Sequence, residues 1–367
     1  MPVLDNFDAA RFARSLLSWF GTHKRELPFR STRDPYAIWV SEAMLQQTQV
    51  STVLPYFERF MKRFPDLRAL AESELDEVLT LWAGLGYYRR ARFLHQGAKV
   101  ILNDHNGIFP ATLDDVIALP GVGRYTAGAI LSIAFEQPVP ILDGNVGRVL
   151  CRVFELGGDP KKGQTNRKLW HLSSDLIPPE NAGDFNQSLM ELGALVCTPR
   201  SPACSNCPVH SQCSSLANGS EKRFPEMPER QKTSYVKVAT AVVKRRGAIL
   251  ICKRPFEAVN GGMWEFPSYE KDSSQPSDTF LKNKLLEHLR LQAETKERLM
   301  TLKHSIMSRR FSVEVFVCRA GGKAACDDYD DIRWVRLSSL PRFAMASAPN
   351  QIRKKLLALH GPEKSRP

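Results

Sequence analysis

Two carboxylates and a knot of thiols are the side chains here whose types and spacing could do chemistry. Residues 36–50 predict a helix on which Glu42, Gln46 and Gln49 fall at i, i+4 and i+7, one acid and two amides on an otherwise apolar surface. A helical Glu is ordinarily a solvated residue with Lys and Arg beside it, and this face carries neither. Apolar surroundings would favour its protonated form, the state a general acid needs near neutral pH. Asp143 leaves the apolar run 138–142 as Asp143-Gly144-Asn145, just before another predicted helix. Taken alone, that context also reads as an ordinary turn or N-cap.

Cys197, Cys204, Cys207 and Cys213 are spaced C-x6-C-x2-C-x5-C. Four thiols so close can reach one inorganic centre. Zinc is one candidate, with His210 able to replace a thiol, although structural zinc sites usually pair two close-spaced knuckles and only one exists here. The other four of the eight cysteines are scattered, which argues against a disulfide scaffold. Leu119-Pro120-Gly121-Val122-Gly123-Arg124-Tyr125-Thr126-Ala127 separates predicted helices at 112–119 and 125–135. Gly121 and Gly123 allow positive φ and leave backbone N–H groups open at a helix start, where a phosphate would be favoured.

The elements that must position these groups change character along the chain. Residues 8–196 read as short amphipathic helices punctuated by Gly and Pro. Residues 214–232 are polar and turn-rich, a linker in character. Beyond them, 235–243 and 248–252 flank Arg246-Gly247 as a β-hairpin, residues 311–318 alternate as a strand, and 280–290 and 351–360 look helical. With 367 residues, two or three domains are expected. A formal charge of +12 favours a polyanionic partner such as nucleic acid. No stretch approaches the roughly 20 apolar residues of a membrane span, and the opening residues carry acids where a secretion signal is basic. A cytoplasmic, soluble protein is expected.

The string 119–127 resembles the helix-hairpin-helix of the endonuclease III superfamily of DNA glycosylases. Ser41-Glu42-Ala43-Met44-Leu45-Gln46-Gln47-Thr48-Gln49-Val50 is similar to the hallmark of MutY-type adenine DNA glycosylases within it. The likeness extends through Arg25-Glu26-Leu27-Pro28-Phe29-Arg30, Gly84-Leu85-Gly86-Tyr87-Tyr88, Leu142-Asp143-Gly144-Asn145 and residues 185–193. It implies a mainly α glycosylase with an iron–sulfur loop, followed by an α+β Nudix-like domain. The implied boundaries are 1–216 for the helical region (a six-helix part at 28–135, an iron–sulfur part at 1–27 plus 136–216), 217–232 for the linker and 233–367 for the Nudix-like domain.

The resemblance further implies excision of adenine mispaired with 8-oxoguanine or guanine in double-stranded DNA, by a monomer working on the bacterial nucleoid. Glu42 would protonate the purine and Asp143 would stabilise the oxocarbenium-like sugar, with Tyr125 and Asn145 orienting both. Gln47, Leu85 and Tyr87 would wedge into the stack, and Arg25, Arg30 and Gln187 would line the adenine pocket. Gly121 and Gly123 would grip the backbone. The four cysteines would hold one [4Fe-4S] cluster. Phe29 stands where Trp is usual. Tyr125 replaces the Lys of bifunctional relatives, which implies base removal without strong lyase activity.

Asn260-Gly261-Gly262-Met263-Trp264-Glu265-Phe266-Pro267 resembles a Nudix stretch, yet residues 268–290 lack the Glu-rich metal box of a nucleotide-sanitising hydrolase. The alternatives are that hydrolase, a bifunctional endonuclease III-like lyase, and a noncatalytic DNA-binding iron–sulfur protein. The family often reads 8-oxoguanine through a Phe-Ser-His loop. Here Ile306, Met307 and Ser308 stand at those positions, which leaves Ser308 with Arg309 or Arg310 as the expected contacts.

Overall fold

The computed structural model describes residues 7–226, 232–272 and 275–359. The first six residues, the end of the expected linker and His360 of the expected last helix lie outside them. Among the described residues, twelve α-helices come first: α1 (Ala9–His23), α2 (Pro35–Leu45), α3 (Val50–Arg63), α4 (Leu67–Ala71), α5 (Leu75–Trp82), α6 (Arg89–Asp104), α7 (Leu113–Ala118), α8 (Arg124–Phe135), α9 (Gly144–Val153), α10 (Gly163–Leu176), α11 (Ala182–Leu195) and α12 (Ser214–Ala217). A mixed region follows with β1 (Ser234–Arg245), β2 (Ala248–Lys253), β3 (Trp264–Glu265), β4 (Ser268–Lys271), α13 (Ser277–Leu289), β5 (Gln292–Ile306), β6 (Arg309–Gly321), β7 (Asp331–Arg336) and α14 (Ser347–Leu359). Among the described residues, no helix is long and apolar enough to cross a membrane.

The described residues fall into two compact units, those within 1–72 and 96–229 and those within 73–95 and 230–367. Residues 73–95 thus group with the C-terminal residues, where a boundary at 216 would put them with the helices.

In the first unit, α1 buries Phe12, Leu16 and Phe20 at helical spacing and packs on α11. Asp34 starts α2 by accepting from the Tyr36 and Ala37 amides at 3.0 and 3.3 Å, with Pro35 in the first turn, where its missing N–H costs nothing. Every residue of α2 from Tyr36 to Met44 is buried. Such a helix belongs to a core, and α2 packs against α8 and α3. Residues 214–226 differ from the expected linker. Ser220 and Asn218 bond Glu155, Arg152 Nε donates to the Phe224 carbonyl at 2.9 Å, and the Gly158 amide donates to Glu226 at 2.7 Å. Polar, turn-rich composition marks irregular backbone there, and tertiary hydrogen bonds fix it.

In the second unit, β1 is central, parallel to β6 and antiparallel to β2 and β4; β5 pairs β6, while β3 and β7 pair β2. Arg246 and Gly247, with φ of 46° and 77°, make the expected hairpin turn. One sheet face packs on Ile352 and Leu356 of α14, the other on Leu281, Leu285 and Leu289 of α13. The long β5 carries no strand signature in the sequence, because its residues are mostly polar and partly exposed.

Candidate active site and cluster loop

Glu42 lies one turn from the end of α2 and is only 7% exposed. Tyr125, in the first turn of α8, donates its phenol proton to Glu42 Oε2 at 2.8 Å, and Met190 Sδ lies 3.2 Å from the Tyr125 hydroxyl oxygen. Burial pushes the Glu42 carboxyl up to about 7. The Tyr125 bond and the Arg30 charge oppose the rise, and the Asp143 charge adds to it. Tyr125 is driven well above its ordinary range, mainly by burial and then by the Glu42 and Asp143 charges, so it stays a phenol.

Asp143 is the N-cap of α9. Its Oδ1 accepts from the Asn145 and Val146 amides at 2.9 and 2.7 Å, and its Oδ2 accepts from Asn145 Nδ2 at 3.1 Å. The turn reading and a chemical role coincide, because capping fixes the carboxylate and leaves acceptor capacity on Oδ2. Burial raises its pKa, against the pull of those amides. Asn145 is held in turn by Arg148, whose Nη2 donates to Asn145 Oδ1 at 2.8 Å and to the Gly193 carbonyl at 2.7 Å, while its Nε donates to the Cys197 carbonyl at 2.7 Å. A Cβ on Gly193 would sit 2.6 Å from that of Asn145, so only glycine lets α11 come this close. Arg148 links the Asp143 turn to the cysteine loop, and its sequence context gave no sign of it.

The helix expected over 36–50 does not run through. It stops at Leu45, Gln46 is its C-cap, Gln47 has a φ of 56°, and Gln49 is the N-cap of α3. Glu42 and Gln49 therefore share no helix face. Gln47 is exposed at the break. In the hairpin, Gly121 has a φ of 73°, whereas Gly123 has −101° and caps α8 in an extended conformation. The expectation of positive φ holds for Gly121 alone. Among the described residues, nothing beyond its chain neighbours lies within 4 Å of where a Gly123 Cβ would be, which leaves backbone open to an incoming phosphate.

Arg25 and Arg30 do not present free guanidinium groups. Both fork onto Glu191, which is fully buried, at N–O distances of 2.6 to 2.9 Å. Burial alone would raise the Glu191 pKa, and the bonds from the two arginines bring it down to about 2. Glu191 is the group sequence reasoning missed; an acid one helical turn beyond Gln187, with two basic residues far upstream, was the available signal. Gln187 is 8% exposed. In the second unit, Tyr87 is 46% exposed with a φ of 50°, but Leu85 is buried at 6%. Positive φ at Gly84 and Gly86 brackets Leu85 in a turn that points it inward, away from the exposed position expected of a wedge. Met307 and Ser308 form the two-residue turn between β5 and β6, with Met307 77% exposed at a φ of 52°. Ile306 is already in β5, so the exposed apolar tip is Met307.

Cys197, Cys204, Cys207 and Cys213 line one pocket with Val149 and Val209, and Arg152 Nη1 lies 3.2 Å from Cys197 Sγ. Among the described residues, no three His, Cys, Asp or Glu side chains converge on a single-ion site. Four soft sulfur donors around an apolar-walled pocket, with a guanidinium beside one of them, fit a polynuclear iron–sulfur group, in which each iron takes one thiolate.

Comparison with known proteins follows the same lines. Residues 40–174 match the family described as HhH-GPD superfamily base excision DNA repair protein, residues 197–213 the iron–sulfur binding domain of endonuclease III, and residues 238–355 the NUDIX domain. A solved thermostable thymine-DNA glycosylase is 30% identical, with a TM-score of 0.54 over 59% of this chain and 99% of that one. Endonuclease III in a trapped covalent DNA intermediate, 21% identical, shares the fold at a TM-score of 0.50 over 58% of this chain and 99% of its own. Fold and site thus define a helix-hairpin-helix base excision repair protein with an iron–sulfur loop and a Nudix-like domain. The adenine DNA glycosylase of Buchnera aphidicola subsp. Schizaphis graminum is 38% identical over 71% of this chain and 75% of its own length. That of Mus musculus is 41% identical over 78% of this chain, which spans 65% of the mouse protein. The chain belongs to the adenine DNA glycosylase family.

Proposed function

We propose that the protein removes adenine mispaired with 8-oxoguanine or guanine from double-stranded DNA, as a monofunctional glycosylase acting as a monomer on the nucleoid. The supporting observation is the pairing of a buried Glu42, titrating near 7 and hydrogen-bonded by Tyr125, with an Asp143 fixed by its own helix cap. The adenosine leaves the stack, because its glycosidic bond is out of reach inside a duplex. Glu42 delivers its proton to an imidazole-ring nitrogen of the base. The bond from sugar C1′ to the base breaks, its electron pair leaves with adenine, and Asp143 faces the positive charge on the sugar. Water then adds at C1′ and its proton returns to the Glu42 carboxylate, which restores the acid and leaves an abasic site.

Strand cleavage by a lyase would need an amine at the position of Tyr125. Nucleotide hydrolysis would need metal-binding carboxylates on α13, and Glu265, the acid of the Nudix-like stretch, is buried and engaged by Arg254 at 2.8 Å. Cys197, Cys204, Cys207 and Cys213 would hold the iron–sulfur cluster, whose contribution is to brace the loop that Arg148 ties to Asn145. The Met307–Ser308 turn is the reader of 8-oxoguanine.

Single-turnover excision on duplexes carrying adenine opposite 8-oxoguanine, guanine or thymine tests this reading, with rates expected to fall in that order. Ser308→Ala should lower the 8-oxoguanine over guanine preference roughly tenfold, the scale of one lost base-edge contact. Absence of adenine release from all three duplexes would refute the glycosylase reading.

A further inference from the structure

Arg92, in the first turn of α6, is 5% exposed, and α6 directly follows the loop that carries Tyr87. Its guanidinium lies 4.0 Å from the centroid of the Phe256 ring, and its Nη1 donates to the Phe256 carbonyl. Phe256 belongs to the loop between β2 and β3. That loop is tight because of the glycine pair at its end. A Cβ on Gly261 would sit 2.1 Å from the Phe256 carbonyl oxygen and 2.6 Å from that of Pro255. A Cβ on Gly262, whose φ is 77°, would meet Leu79 of α5 at 3.4 Å and Arg92 Cδ at 3.9 Å. At the rim, Lys253 Nζ pairs with Asp76 at 2.7 Å. The Asn260-Gly261-Gly262 stretch thus builds a socket for Arg92.

We propose that Arg92 is a positioning residue: seated in the Phe256 socket, it fixes the Tyr87 loop to the Nudix-like domain, so that engagement of the opposite base by the Met307–Ser308 turn sets where Tyr87 stands. The inference rests on the proposed glycosylase reading. Its physical content is a guanidinium taken out of water and held by a ring face and a carbonyl, an arrangement that neither Lys nor an apolar residue reproduces. The loop it anchors has ends in α5 and α6, both of which pack on the same socket. A base-dependent preference follows when the reader and the wedge belong to one body.

The test uses the full chain carrying Arg92→Leu, Phe256→Leu or both; Phe256→Leu keeps an apolar side chain and removes the ring face. Each should reduce the ratio of single-turnover rates on adenine opposite 8-oxoguanine and opposite guanine by about fivefold or more. The rate opposite guanine should stay within about twofold, and the double variant should do no worse than either single one. An unchanged ratio, additive losses, or equal slowing on both duplexes would overturn the proposal. Amide hydrogen exchange of residues 84–91 without DNA gives a readout independent of excision. Faster exchange in Phe256→Leu, with exchange in α8 unaltered, supports the anchor even if the wild-type protein releases no adenine; unaltered exchange at 84–91 defeats it.

Discussion

Glu42 sits where its own charge is disfavoured, and this gives the reaction a pH dependence of defined sign. A general acid works while protonated, so excision should hold below about pH 7 and decline as pH rises through that value. Stability shares the sign. The unfolded chain releases this proton near 4.5 and the folded chain near 7, so the group's stabilising contribution is full below 4.5 and is lost as pH rises through 7, by roughly 3 kcal/mol. Glu42→Gln should abolish both dependences at this position, slow excision by about 100-fold or more and leave mismatch binding in place. Single-turnover rates and melting curves between pH 5 and 9 check these outcomes. The residue types of this site were open to reading from sequence, because a lone acid without basic neighbours on an apolar helix is unusual. Glu191 was not, because its meaning depends on Arg25 and Arg30, 166 and 161 residues away, closing on it from another element.

The hairpin between α7 and α8 assigns different duties to two identical residues. Gly121 is there for its backbone angle, so Gly121→Ala should cost about 1 kcal/mol of stability. Gly123 is there for the space in front of it. Gly123→Val should shift the melting temperature far less, yet weaken binding to undamaged duplex severalfold, as a salt-dependent titration would show. The reverse pattern would exchange their roles. Hairpin, caps and the β1–β2 turn were all legible, since each depends on residues within four positions of one another. The break between α2 and α3 was not. No Gly or Pro marks it, and the Gln-Gln-Thr-Gln run continues a helical pattern in composition while Gln47 leaves it at a φ of 56°. The polar run at 214–226 misled in the opposite direction, since its order comes from Glu155 and Arg152 and not from its own composition.

Across the whole molecule, the cysteine loop and the C-terminal region each act on what precedes them in the chain. Purified protein should be brown and contain about four irons per chain, and Cys204→Ser should lower both iron content and melting temperature. Metal analysis finding one zinc and no iron would reverse the assignment. Removing residues 233–367 is a less clean experiment than the domain boundaries suggest, because it strips residues 73–95 of the partners that cover Leu79 and Arg92. The same feature has a meaning in time. Arg92 and the Phe256 carbonyl that receives it are 164 residues apart, so during synthesis at about 5–20 residues per second the guanidinium leaves the ribosome roughly 8–33 seconds before its socket exists. For that interval the nascent chain carries an unsatisfied cation and an uncovered leucine beside a helical unit whose own partners have mostly been made, and a chaperone that binds this stretch would be competing with the protein's own unsynthesised half.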